Sequence, residues 1–190
     1  MDKSSSKVKF LTSLLLPSAF VFIIWVIHIT QTVLNLNFYL YGIFPRKVTG
    51  LIGIVTAPLI HSNFPHLISN TPMLLLLGVA IIYFYPESAY KAFLSIYLLT
   101  GIFVWLFART AYHIGASGLI YGFLGFLFFS GVFRRDNRSI ALALLITFLY
   151  GGLIWGILPG IREVSWEAHL SGGIAGIISA FIFRKLDRRK

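Results

Sequence analysis

The 190-residue chain contains no cysteine. Disulfides, thiolate nucleophiles and cysteine-ligated metal or iron–sulfur centres are therefore excluded. Charge is scarce as well: Asp, Glu, Lys and Arg make up 12% of the residues, and six in all are acidic. Against this stand 57% hydrophobic residues and a mean hydropathy of +0.84. A soluble domain of this length cannot hide so much apolar surface in one core. About five to seven membrane helices of roughly 20 residues each account for the chain, with no room for a separate soluble domain. The class implied is an all-α, multi-pass membrane protein.

Apolar runs separated by polar or Pro/Gly breaks place six spans at roughly 10–30, 66–85, 90–107, 117–133, 139–157 and 168–183. The first run follows Lys3, Lys7 and Lys9, as a signal peptide would, but it is long and lacks a small-residue cleavage site, so it reads as a retained span. With the N-terminus inside, the inner segments hold Lys3, Lys7, Lys9, Lys91, Arg134, Arg135, Arg138, Arg184, Lys185, Arg188, Arg189 and Lys190, and the outer ones Arg46, Lys47, Arg109 and Arg162. Twelve basic residues against four put both termini in the cytoplasm. The net charge of +10 is then a topology signal and a contact for anionic lipid, not a nucleic-acid patch. With no organelle signal, a bacterial or archaeal plasma membrane is the expected location. Residues 31–65 are too broken by Asn, Gly, Pro, Arg and Lys to span, yet too apolar for an ordinary loop. They predict an outer-leaflet element lying partly in the membrane.

Polar residues inside spans are costly and mark candidate functional sites. Asn70 lies 16 residues before Pro86, Ser117 lies 17 before Arg134, and His169 lies 15 before Arg184. At 1.5 Å per residue all three stand about 23–25 Å above the inner boundary, at one level a little below the outer surface of a core about 30 Å thick. The fourth span carries Gly118, Gly122 and Gly125, and the sixth carries Gly172 or Gly173 and Gly176. Such small-residue faces let two helices approach closely, which would bring Ser117 and His169 within hydrogen-bond reach. His66 and Asn70, four residues apart, point the same way toward that cavity.

A serine needs a base to become a nucleophile, and His169 is the histidine on a glycine-lined face. No Asp or Glu falls within any span, so a Ser–His dyad is expected rather than a full triad. Attack on a carbonyl creates an oxyanion. His66, the Asn70 amide and the backbone N–H groups from Gly115 to Ser117, at a helix N-terminus, are suitable donors.

Three stretches together resemble the rhomboid intramembrane serine proteases. "GASGLIYG" is similar to the family's GxSG nucleophile motif, with Ser117 in the serine position. "AHLSGGIAG" resembles its last-span His-xx-Gly-xxx-Gly, and "HSNFPHLISN" its second-span His-x4-His-x3-Asn, giving His61, His66 and Asn70. The resemblance runs from Pro45 to Gly176. It implies a six-helix rhomboid-like bundle with a membrane-embedded first loop, in which Ser117 is acylated and His169 accepts and returns the proton. By the same resemblance His66, Asn70 and the Ser117 amide form the oxyanion hole, with Gly115 shaping its turn. Tyr121 packs on the catalytic ring, and His61 supports the first loop and the site's water. Substrates would be transmembrane proteins with a small residue at the cut, the segment from Leu158 to Trp166 would cap the site, and movement of the fifth span would admit substrate. The family's first-loop Trp-Arg pair is absent, and "FPRK" stands nearby.

Blander readings compete at each position. A serine in a membrane helix usually bonds its own backbone, His66 and Asn70 could simply glue helices together, and Tyr121 could be core packing. His28 and His113 are expected at the interface, and Glu163 and Glu167 in water on the outer loop. A non-catalytic relative that binds membrane clients would have lost the serine or the histidine, and this chain keeps both. A metal transporter using His61, His66 and His169 would need carboxylates in the spans and a polar path to the cytoplasm. Neither is present, so no metal or other cofactor is expected.

Overall fold

A computed structural model describes residues 3–160 and 164–187. Arg162, Glu163, Arg188, Arg189 and Lys190, which the sequence places in the outer loop and the inner tail, lie outside the described residues. The helices are α1 (Lys3–Val33), α2 (Gly53–Thr56), α3 (Phe64–Phe84), α4 (Ala89–Phe107), α5 (Ser117–Arg134), α6 (Asn137–Tyr150) and α7 (Trp166–Ile182). A 3-10 segment, Gly151–Ile157, continues α6. No strand occurs among the described residues, whose one β-type contact is the antiparallel bridge between Ile43 and His113. The chain is a helical membrane bundle.

Among the described residues, five segments are long and apolar enough to cross a bilayer: Ser6–Val33, Phe64–Phe84, Ala89–Phe107, Ser117–Arg134 and Asn137–Ile157. The sixth long helix, α7, has 17 residues, about 26 Å at 1.5 Å per residue. Its shortness follows from its start, where a serine cap and a charged first turn replace apolar residues. The Ser165 side chain accepts from the Ala168 N–H, and Glu167 lies in the first turn.

Local chemistry fixes the other helix ends too. Asn63 caps α3 by accepting from the His66 N–H at 2.8 Å, with Pro65 in the first turn where no N–H is missed. Asp136 caps α6 through the Ser139 N–H and hydroxyl. Arg135 ends α5 in the left-handed region, φ +58°.

The central helix is α5, packed on α3, α4, α6 and α7. Its contact with α7 is a glycine seam. A Cβ on Gly172 would stand 1.9 Å from the Gly118 carbonyl, and one on Gly176 would stand 2.1 Å from that of Gly122. Only bare backbones fit so closely. A Cβ on Gly173 would meet nothing within 4 Å. Of the two sequence candidates, Gly172 is therefore the one whose Cβ position the seam fills, while Gly173 lends only its backbone, against Gly125.

Residues 34–63 form short 3-10 and helical turns laid against the end of α4. Arg46 donates to the carbonyls of Ala108 (2.8 Å) and Leu106 (3.3 Å), and the Trp105 indole donates to the Lys47 carbonyl (2.9 Å). A Trp and an Arg thus do meet at this loop, although they are distant in sequence. At the opposite end, Arg134 contacts Asp187 at 3.7 Å with side chains 0% and 3% exposed. Arg134 also donates to the Leu186 and Phe183 carbonyls.

Two expectations are corrected here. Glu167 is not in water: it is 7% exposed and pairs with Arg109 at 3.4 Å, because a helix N-terminus and a guanidinium together favour a buried carboxylate. His28 is not exposed at an interface but packed inside the bundle. It is 3% exposed, with its ring edge-on to Phe64 at 4.6 Å.

Candidate active site

Ser117 is the first residue of α5, and the cap position belongs to Ala116, which makes no side-chain cap. The Ser117 hydroxyl is therefore free of capping duty. It meets His169 Nε2 at 2.9 Å across the glycine seam. The other ring nitrogen, Nδ1, lies 2.8 Å from the Gly156 carbonyl. A carbonyl only accepts, so Nδ1 carries the proton, and Nε2 presents its lone pair to the serine O–H. The carbonyl takes the orienting place that a carboxylate holds in a triad. Tyr121 stacks on the imidazole with centroids 4.2 Å apart and planes at 10°, and its hydroxyl donates to the Leu153 carbonyl at 2.8 Å. The ring is held from one face and one edge.

A cavity of about 560 Å³ lies over this pair, and its walls include His66, Asn70, Tyr39 and Arg109. His66 approaches Gly115 so closely that a Cβ there would stand 2.6 Å from the ring's Cε1. Gly115 itself has φ +104°, a conformation that disfavours any side chain. Its N–H donates to the Ala57 carbonyl at 2.9 Å, fixing the turn that leads into Ser117. At the start of α5 the Ser117 N–H has no intrahelical carbonyl to bond. His66 and Asn70 of α3 thus gather with Gly115 and Ser117 at the start of α5.

Asn70 and His61 are bonded to each other, Nδ2 to Nε2 at 3.1 Å. Burial pushes the His61 pKa down to about 3, with neighbouring His66 and His28 adding to the effect. Neutral His61 therefore accepts one Asn70 hydrogen and orients the amide, whose second hydrogen remains available. The His61 and His66 rings meet edge-to-face at 5.0 Å. Ser62 bonds His66 Nδ1 at 3.3 Å. If the hydroxyl donates there, Nε2 carries the proton and faces the cavity.

Several contributors were not legible in the sequence. The Gly156 and Leu153 carbonyls are backbone groups with no residue signature, though Gly156 has a steric one: a Cβ there would stand 1.9 Å from the Tyr121 hydroxyl. His113 is 3% exposed, and polar partners satisfy its buried ring on both sides: Ser165 Oγ at 2.6 Å and the Arg109 carbonyl at 3.0 Å. Burial lowers its pKa, opposed by the Arg109 carbonyl and by Glu167. The serine-capped start of α7 was the readable clue to this contact. Among the described residues, no group of three or more His, Asp or Glu side chains is arranged to hold a metal ion.

A Rhomboid domain family model matches residues 48–186. An uncharacterised protein of Mycobacterium tuberculosis is 35% identical over 179 residues, covering 90% of this chain and 75% of that protein. An uncharacterised Mycobacterium leprae protein is 34% identical over 165 residues, 78% of this chain and 62% of its own length. RHOMBOID-like protein 4 of Arabidopsis thaliana is 28% identical over 131 residues, 65% of this chain and 32% of that protein. The domain match over most of the length, together with these relatives, shows that the chain belongs to the rhomboid family.

Proposed function

We propose that the protein is an intramembrane serine endopeptidase, cleaving transmembrane proteins near the outer end of their spans. The observation that carries this reading is the Ser117 Oγ–His169 Nε2 hydrogen bond of 2.9 Å, with the imidazole oriented by Gly156 and Tyr121 beneath a polar cavity. Ser117 Oγ attacks the scissile carbonyl carbon while its proton passes to His169 Nε2. The carbonyl oxygen becomes an oxyanion, and the Ser117 N–H, the Asn70 amide and His66 are the donors within the cavity that offset its charge. Collapse of the intermediate breaks the C–N bond, and the imidazolium returns its proton to the leaving amine. His169 then takes a proton from a water whose oxygen attacks the acyl carbon, and as the C–O bond to Ser117 breaks the imidazolium returns that proton to Ser117 Oγ, freeing the second product as the acid.

The same reading places both termini in the cytoplasm of a prokaryote. Lys9, Arg134, Arg135, Arg138 and Arg184 gather at one end of the bundle, and Arg46, Lys47 and Arg109 lie at the other. The end richer in basic residues is the inner one.

The test is covalent labelling of Ser117 by a fluorophosphonate in lipid, together with turnover of a model transmembrane substrate. Labelling is expected in the unaltered protein and absent from Ser117→Ala and His169→Ala. A folded protein that neither labels nor cleaves would instead be a non-catalytic binder of membrane clients.

A further inference from the structure

A second Ser–His hydrogen bond lies beside the first, and nothing in the proposed chemistry uses it. His113 Nδ1 meets Ser165 Oγ at 2.6 Å, as Ser117 meets His169 at 2.9 Å. His113 is four residues before Ser117, and Ser165 is four before His169. The two bonds therefore join the same two segments of chain, with serine and histidine exchanged between the segments.

The roles in this outer pair are settled by its other partners. The Arg109 carbonyl, 3.0 Å from His113 Nε2, can only accept, so Nε2 carries the proton and Nδ1 accepts from the Ser165 hydroxyl. The Ser165 oxygen in turn accepts from the Ala168 N–H at 3.3 Å, capping α7. The His113 main chain pairs with Ile43 in both directions, at 2.9 and 3.0 Å, so the same residue also fixes the first loop. Arg109 adds a flanking tie through Glu167 and the Val164 carbonyl.

The seam between α5 and α7 explains why such a tie matters. Bare glycine backbones approach closely but offer no interlocking side chains to stop one helix turning or sliding on the other. The Ser117–His169 bond cannot supply that restraint throughout a reaction, because it is lost when Ser117 is acylated. Ser165, the cap residue of α7, also accepts the His169 N–H at its carbonyl, at 3.3 Å. A bond held at Ser165 therefore controls the direction in which His169 points.

Resting on the proposed peptidase reading, we propose that His113 and Ser165 form a positioning pair that locks the start of α7 to the nucleophile loop and keeps His169 aimed at the reacting atoms through both half-reactions. Misplacement by about 1 Å at such a site costs on the order of a hundredfold in rate, so partial loosening should be visible.

The experiment measures the rate of Ser117 labelling by a fluorophosphonate, per labelled site, and kcat on a model transmembrane substrate, in the full-length protein in lipid. His113→Phe keeps a ring but loses both bonds, and Ser165→Ala loses the tie and the cap. Each is expected to lower the labelling rate and kcat about tenfold. The double variant should fall no further than the worse single one, and Ser165→Thr, which keeps the hydroxyl, should restore the unaltered rate. A purely structural role would lower the melting temperature and the labelled fraction but leave the rate per site unchanged, and that result overturns the proposal. If His113→Phe does not fold, Ser165→Ala against Ser165→Thr decides it. Labelling of Ser165 in the Ser117→Ala background also overturns it, by making the second pair a nucleophile in its own right. Normal labelling in both outer-pair variants, with none in Ser117→Ala and His169→Ala, refutes the positioning role while leaving the peptidase reading intact.

Discussion

Gly115 concentrates two constraints at a single residue. Its φ of +104° strains any side chain, and the space a Cβ would need is taken by His66 at 2.6 Å. Gly115→Ala must shift either the turn before Ser117 or the His66 ring. Labelling of Ser117 is expected to slow on the order of a hundredfold, the scale of losing an oxyanion donor, while circular dichroism stays unchanged. His61 makes a different residue-scale prediction. Its pKa is lowered from 6.5 to about 3 by burial, so the unfolded chain binds the proton first. Its contribution to stability is complete above pH 6.5 and is eroded as pH falls toward 3, by up to about 1.4 kcal/mol per unit. His61→Gln can still accept from Asn70 but does not titrate. Its melting temperature should fall less steeply between pH 6.5 and 4 than that of the unaltered protein.

At the scale of elements, the α5–α7 seam turns glycine identity into geometry. Gly172 and Gly173 are neighbours in sequence, yet a Cβ on the first would meet the Gly118 carbonyl at 1.9 Å and one on the second would meet nothing. Gly172→Ala pushes α7 from the backbone next to Ser117. It should cost about 1–3 kcal/mol of stability, as overpacking does, and abolish most labelling. Gly173→Ala should leave both within twofold. Thermal unfolding and labelling of the two variants side by side check this. The first loop is tied down in a similarly specific way, by Arg46 and Trp105 across the end of α4. That contact joins residues from two separate elements.

The whole molecule is closed at the end away from the cavity by a buried polar clamp. The Asp187 carboxylate accepts from the N–H groups of Glu87 (2.7 Å) and Ser88 (3.2 Å) and from the Ser88 hydroxyl (2.6 Å), and it faces Arg134 at the end of α5. The turn leading into α4, the end of α5 and the chain following α7 are thus joined where the bundle would otherwise fray. Breaking a buried ion pair costs about 3–5 kcal/mol. Asp187→Ala should fall near the lower limit, because Arg134 keeps its carbonyl partners. The expected result is a clear drop in melting temperature with the labelling rate per folded site unchanged. In the sequence Arg134 reads only as a topology charge, since nothing local shows that it is buried.

Much of this could be read from the chain alone, because membrane helices are dictated by length and hydropathy and because small residues at helical spacing announce close packing. The apolar runs that became helices and the glycine faces of α5 and α7 are one-dimensional properties of this kind. Tertiary structure decided whatever depends on which backbone atoms come to lie beside a side chain. It made the Gly156 carbonyl the partner of His169, chose Gly172 over Gly173, drew Glu167 into a buried pair and turned His113 from an unassigned histidine into a junction of three segments. A hydrogen bond to a backbone group, or between residues 52 positions apart, leaves no periodicity behind. It exists only once packing has set the distance.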